Sequence, residues 1–452
     1  MEIDLKEFFQ ASNPSRTIDF SKPEERVYYI DFAPVRGGKI IQALGRTISR
    51  LSPDQPTCQL FTGHIGCGKS TDLLRLKAEL EEDGFHVVYF ESTEDLDIAD
   101  IDISDILLAI ARRVSESLEE TEIHLQNKGF RRFLQETWEF LNSPVELKGE
   151  ANLPGLGKMT ASTEGNMEFS LAAGIGKITT KIKDSPSQRS RLRQYLEPQT
   201  TSIIKIINED LIQPAIAKLK QSGKKGLVVI VDNLDRVDAQ VKASGRSQPE
   251  YLFIDRGDKL KSLHCHVVYT IPLSLIFSNE SEALKNRLGG GVTPKVLPMV
   301  PVQYRDGREY SQGMNLLRQL VMGRAFPQLA PEERLQQVTK LFDSPETLDL
   351  LCRFSGGHVR HLLGLVYRCL QEQDPPWSIA LVNHLIKQDR DRLTLPIDDE
   401  EWAMLRQVVK EQRVRGDLAY HTLLRNLFVF EYVDDKGNWF GLNPALEDPK
   451  GS

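Results

Sequence analysis

No run of about 18 consecutive apolar residues occurs in the 452-residue chain, so no membrane-spanning helix is expected. The opening Met1-Glu2-Ile3-Asp4-Leu5-Lys6 lacks the basic-then-apolar pattern of a secretory leader. Cysteine is sparse. Cys58, Cys67, Cys265, Cys352 and Cys369 share no paired spacing and form no metal-ligand cluster, which excludes a disulfide framework or a zinc module. A reducing cytoplasm is the compartment these absences predict. Positive net charge is lacking too: 57 Lys+Arg stand against 64 Asp+Glu, a formal charge of −7. That balance argues against a protein that coats nucleic acid non-specifically. What is present, 27% charged and 40% hydrophobic residues over this length, suits about three folded units with real cores.

Apolar runs at 58–62, 86–90, 226–231 and 266–270 read as buried strands, and amphipathic stretches lie between them. A fifth run, 295–300, carries Pro298 and reads as a sheet edge. This alternation predicts a mostly parallel sheet covered on both faces. Residues 1–55 form an N-terminal segment ending in a helical pattern from Gly38 to Leu51, and 56–305 form the sheet-bearing core. Within the core, 128–198 breaks the rhythm with many glycines and reads as an insertion, either a β-hairpin or a partly mobile loop. Its end, Lys177–Arg193, holds six cations against one carboxylate, whereas Glu91–Asp105 holds seven carboxylates and no cation. The basic run is expected as a solvated surface, as a contact to a neighbouring subunit's nucleotide, or as a nucleic-acid contact. A chain so polarised is expected to attract a second copy of itself. Residues 306–394 are helical throughout, with a break at Gly356-Gly357, and 395–450 give two helices and then a hairpin, the order of a winged helix.

The sharpest signal is Gly63-His64-Ile65-Gly66-Cys67-Gly68-Lys69-Ser70-Thr71, a full match to G-x-x-x-x-G-K-[ST] between a strand and a helix. Glycines let the backbone turn its N–H groups around a phosphate, Lys69 reaches the β/γ-phosphates, and Ser70 offers a hydroxyl to Mg²⁺. ATP and Mg²⁺ are therefore the expected ligands. Cys67 reads as a small residue at a variable position, its thiol somewhat acidic beside the amides. The 226–231 strand runs into Asp232-Asn233-Leu234-Asp235-Arg236. Asp232 is expected to hold the water shell of Mg²⁺ from a strand next to the phosphate-loop strand. Asn233 stands where many such ATPases place a glutamate, and an amide positions water without taking its proton. Asp235 or Glu91 is the available replacement, and hydrolysis is expected to be slow.

These residues make the chain similar to P-loop ATPases of the AAA+/STAND type. The Asp-Asn-Leu-Asp-Arg run resembles the KAP and STAND form more than that of unfolding motors. The resemblance implies an α/β P-loop NTPase core followed by an α-helical lid and a winged-helix domain. By position it implies Thr270 as a γ-phosphate sensor, or else as a threonine bonded to backbone. Arg287 is implied as a finger offered to an adjacent subunit, or else as an ordinary helix-end arginine. Arg360 matches the lid's sensor, and Arg36 the region that packs on adenine. A homo-oligomer and a separately encoded protein effector follow from the same resemblance, with defence signalling a natural setting. The alternative is a DNA-acting AAA+ ATPase of the initiator, loader or transposition-regulator type. The second winged-helix helix carries a single arginine, which favours packing over DNA.

Overall fold

The five apolar runs become the five parallel strands of one sheet in a computed structural model, which describes residues 3–125, 127–143, 171–183, 185–242 and 245–446. The strands are β1 (Cys58–Gly63), β2 (His86–Glu91), β3 (Leu227–Asp232), β4 (His266–Thr270) and the short β5 (Lys295–Leu297). Their order is β2-β3-β4-β1-β5, so β5 is an edge, and it ends directly before Pro298. One expectation is corrected. The Asp232 strand does not neighbour the phosphate-loop strand, because β4 lies between them. All six residues of β3 are buried, which is why it reads as one unbroken apolar run.

Helices cover both faces. On one, Leu73, Leu76 and Leu80 of the Lys69–Glu82 helix pack with Ile41, Leu44 and Ile48. On the other lies the Ile103–Glu120 helix, whose Ile106, Ile110 and Val114 are fully buried. The helical pattern at 38–51 forms Ile40–Leu51, but Leu51 faces solvent.

The 128–198 insertion is helical where it is described, at Lys128–Asn142, Leu171–Lys183 and Pro186–Leu196. The weak alternation Met167-Glu168-Phe169-Ser170-Leu171 that suggests a β-hairpin lies, except for Leu171, outside the described residues. The basic run folds back on the acidic one. Arg189 lies 2.7 Å from Asp97, and Arg193 lies 3.0 Å from Asp105 while also pairing with Asp100. Part of the charge polarity expected to draw in a second copy, Arg189 and Arg193 against Asp97, Asp100 and Asp105, is thus met inside one chain.

Residues 311–394 form a helical unit around Leu317, Leu351, Leu362 and Trp377. The N-terminal segment splits between two cores. Phe8 stacks on Trp377 at 6.1 Å and Phe32 and Val35 join the helical unit, whereas Ile41 and Leu44 join the sheet. The break between the Pro345–Phe354 and Val359–Glu372 helices needs Gly357: its φ is +78°, and a Cβ would sit 1.7 Å from the Val300 carbonyl oxygen.

The C-terminal unit has helices Asp399–Glu411 and Leu418–Arg425, then the antiparallel pair β6 (Val429–Asp434) and β7 (Gly437–Leu442). Its second helix packs on the Leu273–Phe277 turn of the core, and Arg425 pairs with Asp238 at 3.4 Å. Among the described residues no helix is long and apolar enough to cross a membrane.

Candidate nucleotide site

Parallel strands deliver their carboxyl ends to one edge of the sheet, and there β1, β4 and β3 bring Gly63, Thr270 and Asp232 together. Gly66 shows why the loop is glycine-rich. Its φ is +86°, and a Cβ would meet the His358 ring at 2.7 Å. Lys69 opens the helix and is buried. Its Nζ donates to the Gly63 and His64 carbonyls at 2.9 and 2.8 Å and pairs with Asp235 at 2.9 Å. Burial alone would lower the Lys69 pKa, but the Asp235 carboxylate more than offsets it and holds the ammonium charged. Asp235 is therefore the counter-ion of Lys69 in this state.

Asp232 is fully buried. It accepts from Tyr89 Oη at 2.9 Å, from the Asn233 N–H at 2.7 Å and from the Ser70 hydroxyl. Burial, and then Asp235, push its pKa up. Among the described residues no group of three or more His, Cys, Asp or Glu is placed to hold a metal. The fit is to a hard cation that takes one hydroxyl and one carboxylate and completes its shell with water and phosphate oxygens, as Mg²⁺ does. Ser70 and Asp232 are the residues that would hold it.

Asn233 carries a second surprise. Its φ is +63°, a conformation asparagine tolerates better than glutamate does, so the turn itself favours an amide here. Its Nδ2 donates to Glu91 Oε2 at 2.6 Å. Both candidate replacement carboxylates are thus already bonded: Asp235 to Lys69, and Glu91 to Asn233.

Thr270 is bonded to backbone, one of its two expected arrangements. Its Oγ1 accepts from the Leu234 N–H at 3.0 Å and donates to the Val231 carbonyl at 3.4 Å. Its hydroxyl holds the acidic turn. Arg287 does not join the site within this chain: it is half exposed, donates to the Ile254 carbonyl at 3.3 Å and lies 3.9 Å from Asp255. Arg360 does join, since its N–H donates to the Gly66 carbonyl at 3.1 Å and its side chain lines the cavity with Lys69 and Ser70. Arg36 lies 5.0 Å over the Phe32 ring and donates to the Cys67 carbonyl at 2.8 Å. It lines a second cavity with Tyr29, Ile40, Gly68 and Asp72. The Cys67 thiol is corrected as well, because burial pushes its pKa up rather than down.

Sequence reasoning missed three residues. His358 Nε2 donates to the Ile65 carbonyl at 2.7 Å, while its Nδ1 caps the next helix. Glu431 of β6 donates its N–H to His64 Nε2 at 2.8 Å. Burial keeps His64 neutral, its pKa lowered to about 3, so His64 accepts this bond. Arg324 lines both cavities. A histidine at a variable loop position had no partner legible in the sequence, since Glu431 lies 367 residues away.

The Glu431 side chain is also buried, and its pKa is pushed up to about 8 from 4.5. Between those values the folded chain holds a proton that the unfolded chain has lost, so this group costs stability progressively as pH rises through the window. Glu431→Gln mimics the protonated form. Its unfolding free energy relative to wild type is expected to rise by about 2 kcal/mol between pH 6 and 8. Parallel stability–pH curves for the two proteins would show that Glu431 is ionised in the fold.

Residues 38–243 match the model of the KAP family P-loop domain. No curated protein matches the chain. Among solved structures, the Aeropyrum pernix ORC2 protein in its ADPNP–ADP complexes is similar at 12% identity, over 93% of this chain and 94% of that one, with a TM-score of 0.40. Drosophila ORC bound to DNA follows at 10% identity, 97% and 88% coverage and 0.37. Cdc6p from Pyrobaculum aerophilum gives 12% identity, 93% and 94% coverage and 0.35. Strand order, phosphate loop, acidic turn and family match agree: residues 38–243 of this chain form a nucleotide-binding P-loop domain similar to that of the KAP family.

Proposed function

We propose that the protein is an ATP- and Mg²⁺-dependent switch that passes the state of its phosphate loop to the helical and C-terminal units, and through them to self-assembly or a protein effector. One observation carries this reading. Three consecutive loop residues bond outside the ATPase core: His64 to Glu431, Ile65 to His358, and Gly66 to Arg360. A phosphate entering the loop must rearrange backbone that these units already hold. Lys69 must also leave Asp235 to reach the phosphates, so nucleotide binding and release of Asp235 are one event. In this reading Mg²⁺ would neutralise phosphate charge, Arg360 would face the γ-phosphate, and Asn233, oriented by Glu91, would position water. Slow hydrolysis follows from an amide at that position. The domain limits proposed are the core to residue 305, the helical unit to 394 and the C-terminal unit beyond. Arg287 stays available to a neighbouring subunit.

Hydrogen exchange across 429–442 tests the coupling. ATP with Mg²⁺ is expected to change the protection of β6 by at least about tenfold, and His64→Ala to abolish that response while nucleotide still binds. Unchanged exchange at saturating ATP would remove the switch reading. Light scattering on the same samples reads assembly. A steep, salt-sensitive affinity for duplex DNA would favour the DNA-acting alternative instead.

A further inference from the structure

Arg324 sits in the last turn of the Ser311–Ala325 helix and is only 5% exposed. A buried guanidinium ordinarily has a carboxylate beside it, because an unpaired charge taken from water is costly. Arg324 makes no ion pair among the described residues, and its Nε has no hydrogen-bond partner. The Tyr28 ring lies 5.2 Å from its guanidinium carbon. Arg16 shares that ring at 5.6 Å but has Glu25 at 3.6 Å, so the two cations are not equivalent. Burial, and then the neighbouring Arg16, lowers the Arg324 pKa to about 10, and the opposing influence of Tyr28 and Glu25 does not restore it. The helix's own carbonyl end offsets part of that cost, with about half a unit of negative charge.

The place of this cation matters more than its burial. Arg324 lines the cavity of Lys69, Ser70 and Arg360, and also the neighbouring cavity of Arg36 and Asp72. Gly68 and Thr71 are shared by the same two cavities. Arg360 lines only the first. A nucleotide laid along the loop, with its phosphates at Lys69 and its base toward Arg36, passes Arg324 where the sugar joins the phosphate chain. We infer that Arg324 is a nucleotide-binding residue supplied by the helical unit, with its guanidinium reserved for the α-phosphate of a bound nucleoside di- or triphosphate. The inference rests on the nucleotide-switch reading and adds a second arginine with a different role. Arg324 would report that the site is filled, whereas Arg360 would report the γ-phosphate. The helical unit would therefore close on ADP as well as on ATP.

The test compares wild type, Arg324→Met and Arg360→Ala by calorimetric affinity for ADP and ATP and by thermal unfolding without nucleotide. Arg324→Met is expected to weaken ADP and ATP about equally, by ~10–100-fold, the range of a hydrogen bond to a charged group. It should also raise the melting temperature of the ligand-free chain, since it removes an uncompensated buried charge. An arginine with a purely structural role would lower that temperature. Arg360→Ala should weaken ATP and spare ADP. Arg324→Met with ADP affinity unchanged, or with a loss confined to ATP, would overturn the assignment and leave the switch reading intact. Absence of nucleotide binding by wild type would defeat both.

Discussion

Lys69→Ala is expected to lower ATP affinity by at least about 100-fold, the largest effect of any single change in this chain. The lysine reaches the β/γ-phosphates in this loop type, and charge-assisted bonds are roughly twice as strong as neutral ones. The substitution has a second consequence. It leaves Asp235, 8% exposed and with Oδ1 already lacking a partner, as a buried carboxylate with no counter-ion. Breaking a buried pair from one side costs about 3–5 kcal/mol. A ligand-free Lys69→Ala chain should therefore melt early as well as bind poorly. Adding Asp235→Asn separates the two effects, because it restores stability without restoring affinity. Filter binding and thermal melts on the single and double variants read both, and wild-type affinity in Lys69→Ala would remove the phosphate-site assignment.

Arg193→Ala is expected to destabilise the fold by about 3 kcal/mol, as the removal of one partner from a mostly buried pair does. Asp105 is 8% exposed, and burial raises its pKa while Arg193 is the main influence opposing that rise. The same carboxylate caps the Ile103–Glu120 helix by accepting from the Asp102 N–H at 2.8 Å. Without Arg193 it must stay charged and unpaired or take up a proton, so the loss should shrink as pH falls. Denaturant melts at pH 7.5 and pH 5 check both size and trend. Unchanged stability together with weakened DNA binding would mean that the basic run faces a nucleic acid instead.

What could be read in the sequence follows a physical pattern. Lys69, Ser70 and Asp232 were legible because each lies within a few residues of the glycines or apolar strand that position it. Asn233 was read as a loss of function at one position, but its positive φ gives the amide a local reason that one-dimensional spacing does not show. Thr270 was assigned by position in a strand, and the two backbone groups that claim its hydroxyl come from the neighbouring strand and turn. The basic run offered no sign of its partner, since Asp97 and Asp105 lie some 90 residues earlier in the chain.

The sequence by itself determined a phosphate loop between strand and helix, a parallel sheet with an edge at Pro298, a helical unit broken by glycines and two helices before a hairpin. Each is a matter of local backbone preference or hydrophobic period, which neighbouring residues dictate. Only the tertiary structure decided that Arg189 and Arg193 of the basic run pair with the acidic one, that β4 separates the phosphate-loop strand from the Asp232 strand, and that His64 meets Glu431. It also left Arg324 buried between two cavities without an ion pair among the described residues. Those outcomes depend on which distant side chains share one low-dielectric interior, where an unmatched charge is costly and a matched one is held in place.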